Sequence, residues 1–506
     1  MSALAAPAQI FAPVRHRGLI VACLISSTLM QTLDSTIANV ALPYMQGTFS
    51  ATIDQVTWVL TSYIVATAIM TAPVGWLAAR FGQKRFFAVC LSGFTAASVL
   101  CGFAVTLEQM VFYRILQGFF GAAIVPLSQS MMMELYPPHK RGAAMAMWGM
   151  GVMVGPIIGP TLGGYLTDAF DWRYCFFINL PFGAAAVAGL LLFYKDRGAN
   201  RSLNFDWTGF AVLAIGLGAL QLMLDRGAHE DWFQSTEIII YAVLAGLCAY
   251  LFIVHAWLSP QPLIPLAMFS DRNFTIGMLT MFCVGAVLVA SVALLAPYMQ
   301  SLAGYSVWET GLLMAPRGAG VMIAMLIAGR IVDRFDPRIV MMCGVALLCY
   351  SLWDMSRWTP DVSASRLIFS TMIQGGGLGF IFIPMQVIAF ATLPPKYRTE
   401  GAALFSLIRN VGSALGVSIA ATVLTWTTQA MHARIAESVT HFDRFSQSGG
   451  AYVFWNLATP RGRMALEAEI GRQATAIAYA NDFLAMFWMA LPTAFLVLLM
   501  RKPKRP

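Results

Sequence analysis

LEQMVFYRILQGFFGAAIVPLSQSMMMELYPP (residues 107–138) and ASRLIFSTMIQGGGLGFIFIPMQVIAFATLPP (residues 364–395) are the stretches that decide how this chain folds. Gln117-Gly118, Gln129 and Pro137-Pro138 of the first recur as Gln374-Gly375, Gln386 and Pro394-Pro395 of the second, always 257 residues later. Each stretch exceeds the roughly 20 mostly apolar residues that cross a bilayer as a helix. A second echo supports the first: GWLAARF at 75–81 returns as GRIVDRF at 329–335, an offset of 254. One membrane-spanning unit is therefore written twice.

Working outward, fourteen apolar segments can be marked: 18–41, 55–78, 86–105, 107–134, 142–167, 173–194, 207–225, 236–258, 274–298, 309–332, 339–356, 366–393, 401–426 and 480–500. Backbone in lipid is satisfied only in helices or closed barrels. Barrel strands alternate over about 10 residues, and these runs are longer and continuous. The sequence predicts an all-α polytopic membrane protein with 14 transmembrane helices arranged six, two and six. The expected units are an N-terminal six-helix bundle (1–200), two inserted helices (201–262) and a C-terminal six-helix bundle (263–506), the last carrying a long outer loop at 427–479. Two parallel six-helix repeats with a substrate path between them form the layout of a major facilitator fold.

Composition agrees. Of 506 residues, 58% are hydrophobic and 11% charged, with a mean hydropathy of +0.69. Soluble domains average about 25% charged residues. Disorder and nucleic-acid binding are excluded, the first by hydropathy and the second by the lack of a soluble basic face. The eight cysteines all lie in apolar stretches without paired spacing, so neither a metal site nor a disulfide framework is expected. Arg15, His16 and Arg17 precede the first run, which contains Asp34 and is too long and polar for a cleaved leader.

Basic residues orient the chain. With the N-terminus in the cytoplasm, 20 of the 32 Lys and Arg residues fall on the cytoplasmic side, four in short outer loops and five in 427–479. That is the inside-positive distribution, and an even helix count places both termini in the cytoplasm. The remaining three, Arg114, Arg317 and Arg409, lie within apolar segments.

Charge at depth marks the candidate site. Asp34 stands in segment 1, roughly 10 Å from its outer end. Arg114 stands in segment 4, also roughly 10 Å from the outer side. Opposite charges at one depth in one bundle invite pairing, and an intramembrane ionisable group is a functional hypothesis by default. A motion that changed their separation or hydration would bind or release a proton, giving proton coupling; the alternative is a static ion pair. The second half offers Thr371 in the place of Arg114 and Leu288 near that of Asp34, so the ionisable machinery reads as asymmetric. Gln117 is either a structural hydrogen-bonder between helices or a substrate contact. Asn39, Gln374 and Arg317 are further substrate-binding candidates. Arg317 could bind an anionic substrate or pair with a carboxylate, and Arg409 with Asn410 is comparable. Glu134, Glu400 and Asp354 lie near helix ends and read as structural.

Segment 5 carries Gly149, Gly151, Gly155, Pro156, Gly159, Pro160, Gly163 and Gly164. Such density would break a soluble helix. In lipid, neighbours re-satisfy the backbone, so a kinked, closely packed helix between the halves is expected, as a gate or as packing alone. Gly75 and Arg80 after segment 2, and Asp333 and Arg334 after segment 10, either latch the cytoplasmic side or follow the charge rule. No phosphate-binding loop, H-E-x-x-H or G-x-S-x-G motif occurs, so no enzyme, metal or cofactor is expected.

These motifs resemble the major facilitator superfamily, and within it the fourteen-helix drug:proton antiporters of the EmrB/QacA type. The resemblance rests on LDSTIANVALP (33–43), Arg114 to Gly118 as R-x-x-Q-G, Gly151 to Gly164 as the antiporter motif, and Asp171-Trp172-Arg173 with Asn179-Leu180-Pro181 and Gly183. It implies a proton-coupled multidrug efflux transporter of the bacterial inner membrane. Such a pump takes small hydrophobic or amphiphilic substrates, uses the proton gradient in place of a cofactor, and works with a periplasmic adaptor and an outer-membrane channel. The motif at 75–85 departs from the family, with Ala79 where an Asp is usual; Asp333 keeps it in the second copy. Residues 463–480 read as an amphipathic helix with Glu467 and Glu469 on its polar side, which either docks an adaptor or lies as a lid on the pump. Rivals are a dedicated exporter of a natural product or lipid-like acid, and a membrane-embedded sensor.

Overall fold

A computed structural model describes residues 16–137, 140–195, 204–228, 230–332, 334–438, 455 and 459–501. Among the described residues the regular structure is helical. Thirteen helical stretches are long and apolar enough to cross a membrane, and one bent pair makes a fourteenth.

The first six spans follow the sequence closely. Helix α1 (Arg17–Phe49) is the first. The second is broken: α2 (Ile53–Thr71) and α3 (Val74–Phe81) meet at 58°. Pro73 lies at the break, where its ring and missing N–H prevent continuation. Gly82, at φ 88°, turns the chain into α4 (Gln83–Gly102). The fourth span joins α5 (Leu107–Gly121) to α6 (Ile124–Leu135), the interruption falling just before Pro126. The fifth is α7 (Arg141–Ala169), a single helix that runs through Pro156. The sixth is α8 (Tyr174–Phe177) continued by α9 (Asn179–Phe193).

Helices α10 (Trp207–Arg226) and α11 (Thr236–Leu258) form a hairpin on the outside of the bundle, their surfaces largely unburied as lipid-facing helices require. The Thr61 hydroxyl donates to Asp225, and Trp76 Nε1 donates to Asn204 O at 2.9 Å, tying the hairpin to α2 and α3. Trp232 Nε1 donates to Thr422 Oγ1 at 2.9 Å and ties its opposite end to the second half.

The last six spans are α12 (Arg272–Pro297), α13 (Val307–Ile331), α14 (Pro337–Met355), α15 (Ala364–Ala391), α16 (Arg398–Ser438), and α17 (Pro460–Ala490) continued by α18 (Pro492–Leu499). Here the structure keeps the helix expected over 463–480 and changes the start of the expected outer loop, 427–438. Segment 13 does not stop near residue 426. Its helix runs 41 residues, roughly 60 Å, about twice the hydrocarbon thickness. The returning helix starts at Pro460, and His432 Nε2 meets Glu467 Oε1 at 2.8 Å between the two. Much of 427–479 is thus helical extension beyond the bilayer; residues 439–454 lie outside the description.

The two halves touch along α7 and α13. Gly329 admits Ala146, Gly318 admits Ile157, and Gly149 lies against Met325 and Ile383. Polar contacts between halves gather at one end, the one bearing Arg85, Arg141, Arg338, Lys396 and Arg501 and here termed the basic end. There Gln83 Nε2 donates to Thr399 Oγ1 at 3.0 Å, Ser130 and Thr399 hydroxyls lie 3.0 Å apart, and Gln129 donates to Gln386. Helix α7 lies between the halves as expected, but most of its glycine ridge faces the first half. Gly151, Gly155 and Gly159 receive Ile25, Thr32 and Thr36 of α1, within the first half, and only the flanking residues meet α13. The four-residue spacing explains this, because it builds one stripe and one stripe serves one neighbour.

Candidate functional site

Asp34 and Arg114 meet. Arg114 Nη1 donates to Asp34 Oδ2 at 2.8 Å, with both side chains almost wholly buried. The arginine is held from several sides. Its Nε donates to the carbonyl of Val59 at 3.0 Å, and Nη1 also donates to Gln117 Oε1 at 2.6 Å. Its Cζ lies 4.3 Å from the ring centroid of Tyr63, an arrangement that offsets part of the desolvation of a cation. Nη2 is buried without a hydrogen-bond acceptor.

The carboxylate is equally surrounded. Gln117 Nε2 and Asn179 Nδ2 each donate to Asp34 Oδ1 at 2.8 Å. Asn179 Nδ2 also donates to Ser98 Oγ at 2.9 Å, and that hydroxyl donates to Phe176 O at 2.9 Å. Five of the first six spans therefore contribute to one network around this carboxyl group. Buried charge persists only when paired and hydrogen-bonded, and three side-chain donors meet that need here.

Sequence reading reached Asp34, Arg114 and Gln117 but not Asn179, Ser98 or Tyr63. Asn179 was visible only as part of a motif. Its role depends on the start of α9 being packed against α1, and no spacing within the chain reports that. The signal that could have found it is an amide two residues before Pro181 in an otherwise apolar span.

The other candidates lie apart. Asn39 is exposed, roughly 140° around α1 from Asp34. Gln374 is buried in α15; its Nε2 approaches Met355 Sδ at 3.8 Å and its Oε1 has no partner. Arg317 is buried on α13, and its Nη2 donates to Ser291 Oγ at 2.9 Å and Leu288 O at 3.2 Å. No carboxylate among the described residues pairs with it, and the same holds for Arg409, whose Nη2 reaches Asn410 Oδ1 at 3.5 Å. Arg80 ends α3 half-buried, Arg334 is exposed, and Asp333 lies outside the described residues. Pro156 is exposed on α7, and Pro160 stands one turn further along the same helix. Asp354 accepts from Arg366 Nη2 at 2.8 Å and from the Ser370 hydroxyl, a local tie between α14 and α15.

Among the described residues the second half shows no buried carboxylate–arginine pair like Asp34 and Arg114, yet it carries a buried acid of its own. Asp482, in α17 of the second half, is buried and its Oδ2 has no hydrogen-bond partner. It went unread because it stands at the outer limit of the last apolar segment, where a carboxylate is unremarkable. All eight thiols are free, and Cys343 is exposed. No cluster of metal-ligating side chains occurs among the described residues.

Two six-span halves, a peripheral hairpin and an acid–base pair at depth define a multi-pass membrane protein of the transporter class. The family model of the Major Facilitator Superfamily matches residues 24–417, and the chain belongs to that superfamily. It is 36% identical over 425 residues to the multidrug export protein EmrB of Escherichia coli K12, covering 83% of each chain. It is 34% identical over 418 residues to the fatty acid resistance protein FarB of Neisseria gonorrhoeae, covering 82% of each. Among solved structures, the human organic anion transporter MFSD10 (TETRAN) is similar in fold, with a TM-score of 0.60 at 14% identity, over 94% of this chain and all of that one.

Proposed function

We propose that this chain is a proton-driven exporter of small hydrophobic or amphiphilic compounds. It works by alternating access in the bacterial inner membrane, with the basic end and both termini in the cytoplasm. The carrying observation is the Asp34 carboxylate, held at once by Arg114, Gln117 and Asn179. Protonation from the outer side removes the charge that Arg114 answers and loosens α1 from α5 and α9. That favours opening toward the cytoplasm, where substrate enters and the proton leaves. Residues 1–200 and 263–506 act as the two moving halves, and 201–262 as a hairpin riding on their flank. The α7–α13 contact is the axis about which they rock.

The relatives named for multidrug export support this reading. The long α16–α17 extension supports docking to a periplasmic adaptor that leads to an outer-membrane channel, because helices reaching well past the bilayer present protein surface outside it. The decisive test is flux in proteoliposomes with an imposed pH gradient and a chemically varied substrate panel. Coupled efflux should disappear in Asp34→Asn; undiminished coupled efflux in that variant rules the mechanism out.

A second reading has its own support. Among the described residues Arg317 has no carboxylate partner, and one relative is named for fatty acid resistance. Both favour a dedicated exporter of a lipid-like acid. Proteoliposomes that move long-chain carboxylates but not neutral or cationic compounds would select it.

A further inference from the structure

We propose that Glu400 is a proton-binding latch of the basic-end closure: shutting the two halves there requires this acid to take up a proton, and opening releases it on the same side. The inference rests on the alternating-access reading and on the basic end facing the cytoplasm.

Glu400 stands in the first turn of α16, one residue after Thr399, which bonds across to Gln83 and Ser130 of the other half. It is pressed against α3. A β-carbon on Gly75 would lie 2.5 Å from Glu400 Cγ and 2.9 Å from its Cα, so the two halves touch here with no room for a side chain. The carboxyl belongs to the moving interface itself rather than to either bundle interior.

Its surroundings do not suit a charge. Ala72 faces it from the break between α2 and α3, Gly75 from α3, Leu263, Ile264 and Met268 from the connection before α12, and Leu404 from its own helix. None of these titrates. Glu400 Oε2 is buried without a hydrogen-bond donor. Charged side chains of this end, among them Arg80, Arg85, Glu134, Arg141, Lys396 and Arg398, lie outside that lining. With Oε2 unsatisfied and no cation in the lining, the ionised carboxylate is disfavoured in such a site, whereas its neutral form is tolerated. Separating the halves replaces Gly75 and the apolar lining with water, and the acid ionises.

The balance is simple. Closure converts a carboxylate and one cytoplasmic proton into a carboxylic acid; opening reverses this. Because the proton is taken from and returned to one side, Glu400 adds nothing to the number of protons carried per cycle. It makes the closed fraction fall as cytoplasmic pH rises, by up to about tenfold in the closed-to-open ratio per pH unit, the limit for one linked proton.

The test measures distance at the basic end in the full chain. Spin labels at Arg85→Cys and Lys396→Cys, both exposed positions, are introduced after replacement of the native cysteines, and the protein is held in nanodiscs without substrate. The short-distance population should fall between pH 5.5 and 8.5. Glu400→Gln, whose amide mimics the neutral acid, should remain closed with less than about a twofold change over that range. Glu400→Asp, which can still titrate, should restore the pH dependence. The proposal is overturned if Glu400→Gln keeps the pH profile of Glu400, if no profile exists with Glu400 present, or if Asp34→Asn alone abolishes it. None of these results depends on flux, so coupled efflux can succeed or fail independently.

Discussion

Gln129 of α6 and Gln386 of α15, one position of the repeated sequence in its two copies, hydrogen-bond to each other across the halves. The internal repeat therefore closes on itself at the basic end, where Ser130, Thr399 and Gln83 continue the polar contact. Gln129→Ala and Gln386→Ala should each destabilise closure by roughly 0.5–1.5 kcal/mol. The double variant should cost little more than one single, because both remove the same bond. Distance distributions at the basic end measure this; additive effects would show that the two amides act separately.

Arg114 is the one cation in the Asp34 network. Arg114→Met leaves a buried carboxylate with only neutral donors, a change that costs about 3–5 kcal/mol in comparable pairs. Thermal unfolding of the purified protein should show a clear loss of stability at pH 8 that shrinks as the pH is lowered. Equal losses at both pH values would mean that packing, not charge, accounts for the change.

Asn179 Nδ2 donates to Asp34 Oδ1 at 2.8 Å. Asn179→Leu withdraws a donor from the charged form, so the pH at which coupled flux is half-maximal should move upward. Asn179→Asp places a second carboxyl beside the first and should move it further in the same direction. A fall in maximal flux with an unmoved pH profile would assign Asn179 to folding alone.

Gly155 and Gly159 let α7 lie directly on Thr32 and Thr36 of α1. Gly159→Leu should separate the helices and reduce transport at least tenfold while leaving the α7–α13 face intact. Gly318→Leu, opposite Ile157 on that face, should instead alter the balance between open and closed states. Comparing flux with basic-end distances for the two variants distinguishes packing within a half from packing between halves.

Much of this was legible in residue order. The apolar segments, their number and the duplicated Gln, Gly and Pro positions follow from the bilayer's demand for about 20 apolar residues per crossing and from the duplication itself. The depth of Asp34 and Arg114 follows from counting 1.5 Å per residue along a helix. Pro73 and the glycines of α7 were visible as marks without a meaning. What they do depends on which helix is the neighbour, and α7 turned its glycine stripe to α1 instead of to the other half.

Tertiary structure alone decided the rest. It joined Asn179 and Ser98 to Asp34, left Asp482 and Gln374 with unmet polar atoms, and extended α16 to Ser438 where polarity had read as loop. It also set Glu400 against Gly75, residues 325 positions apart. The physical reason is the same throughout. Hydropathy and periodicity fix which residues enter lipid and in what order, because the solvent imposes them segment by segment. The partner of a buried polar group is chosen by packing between segments, which the solvent does not dictate.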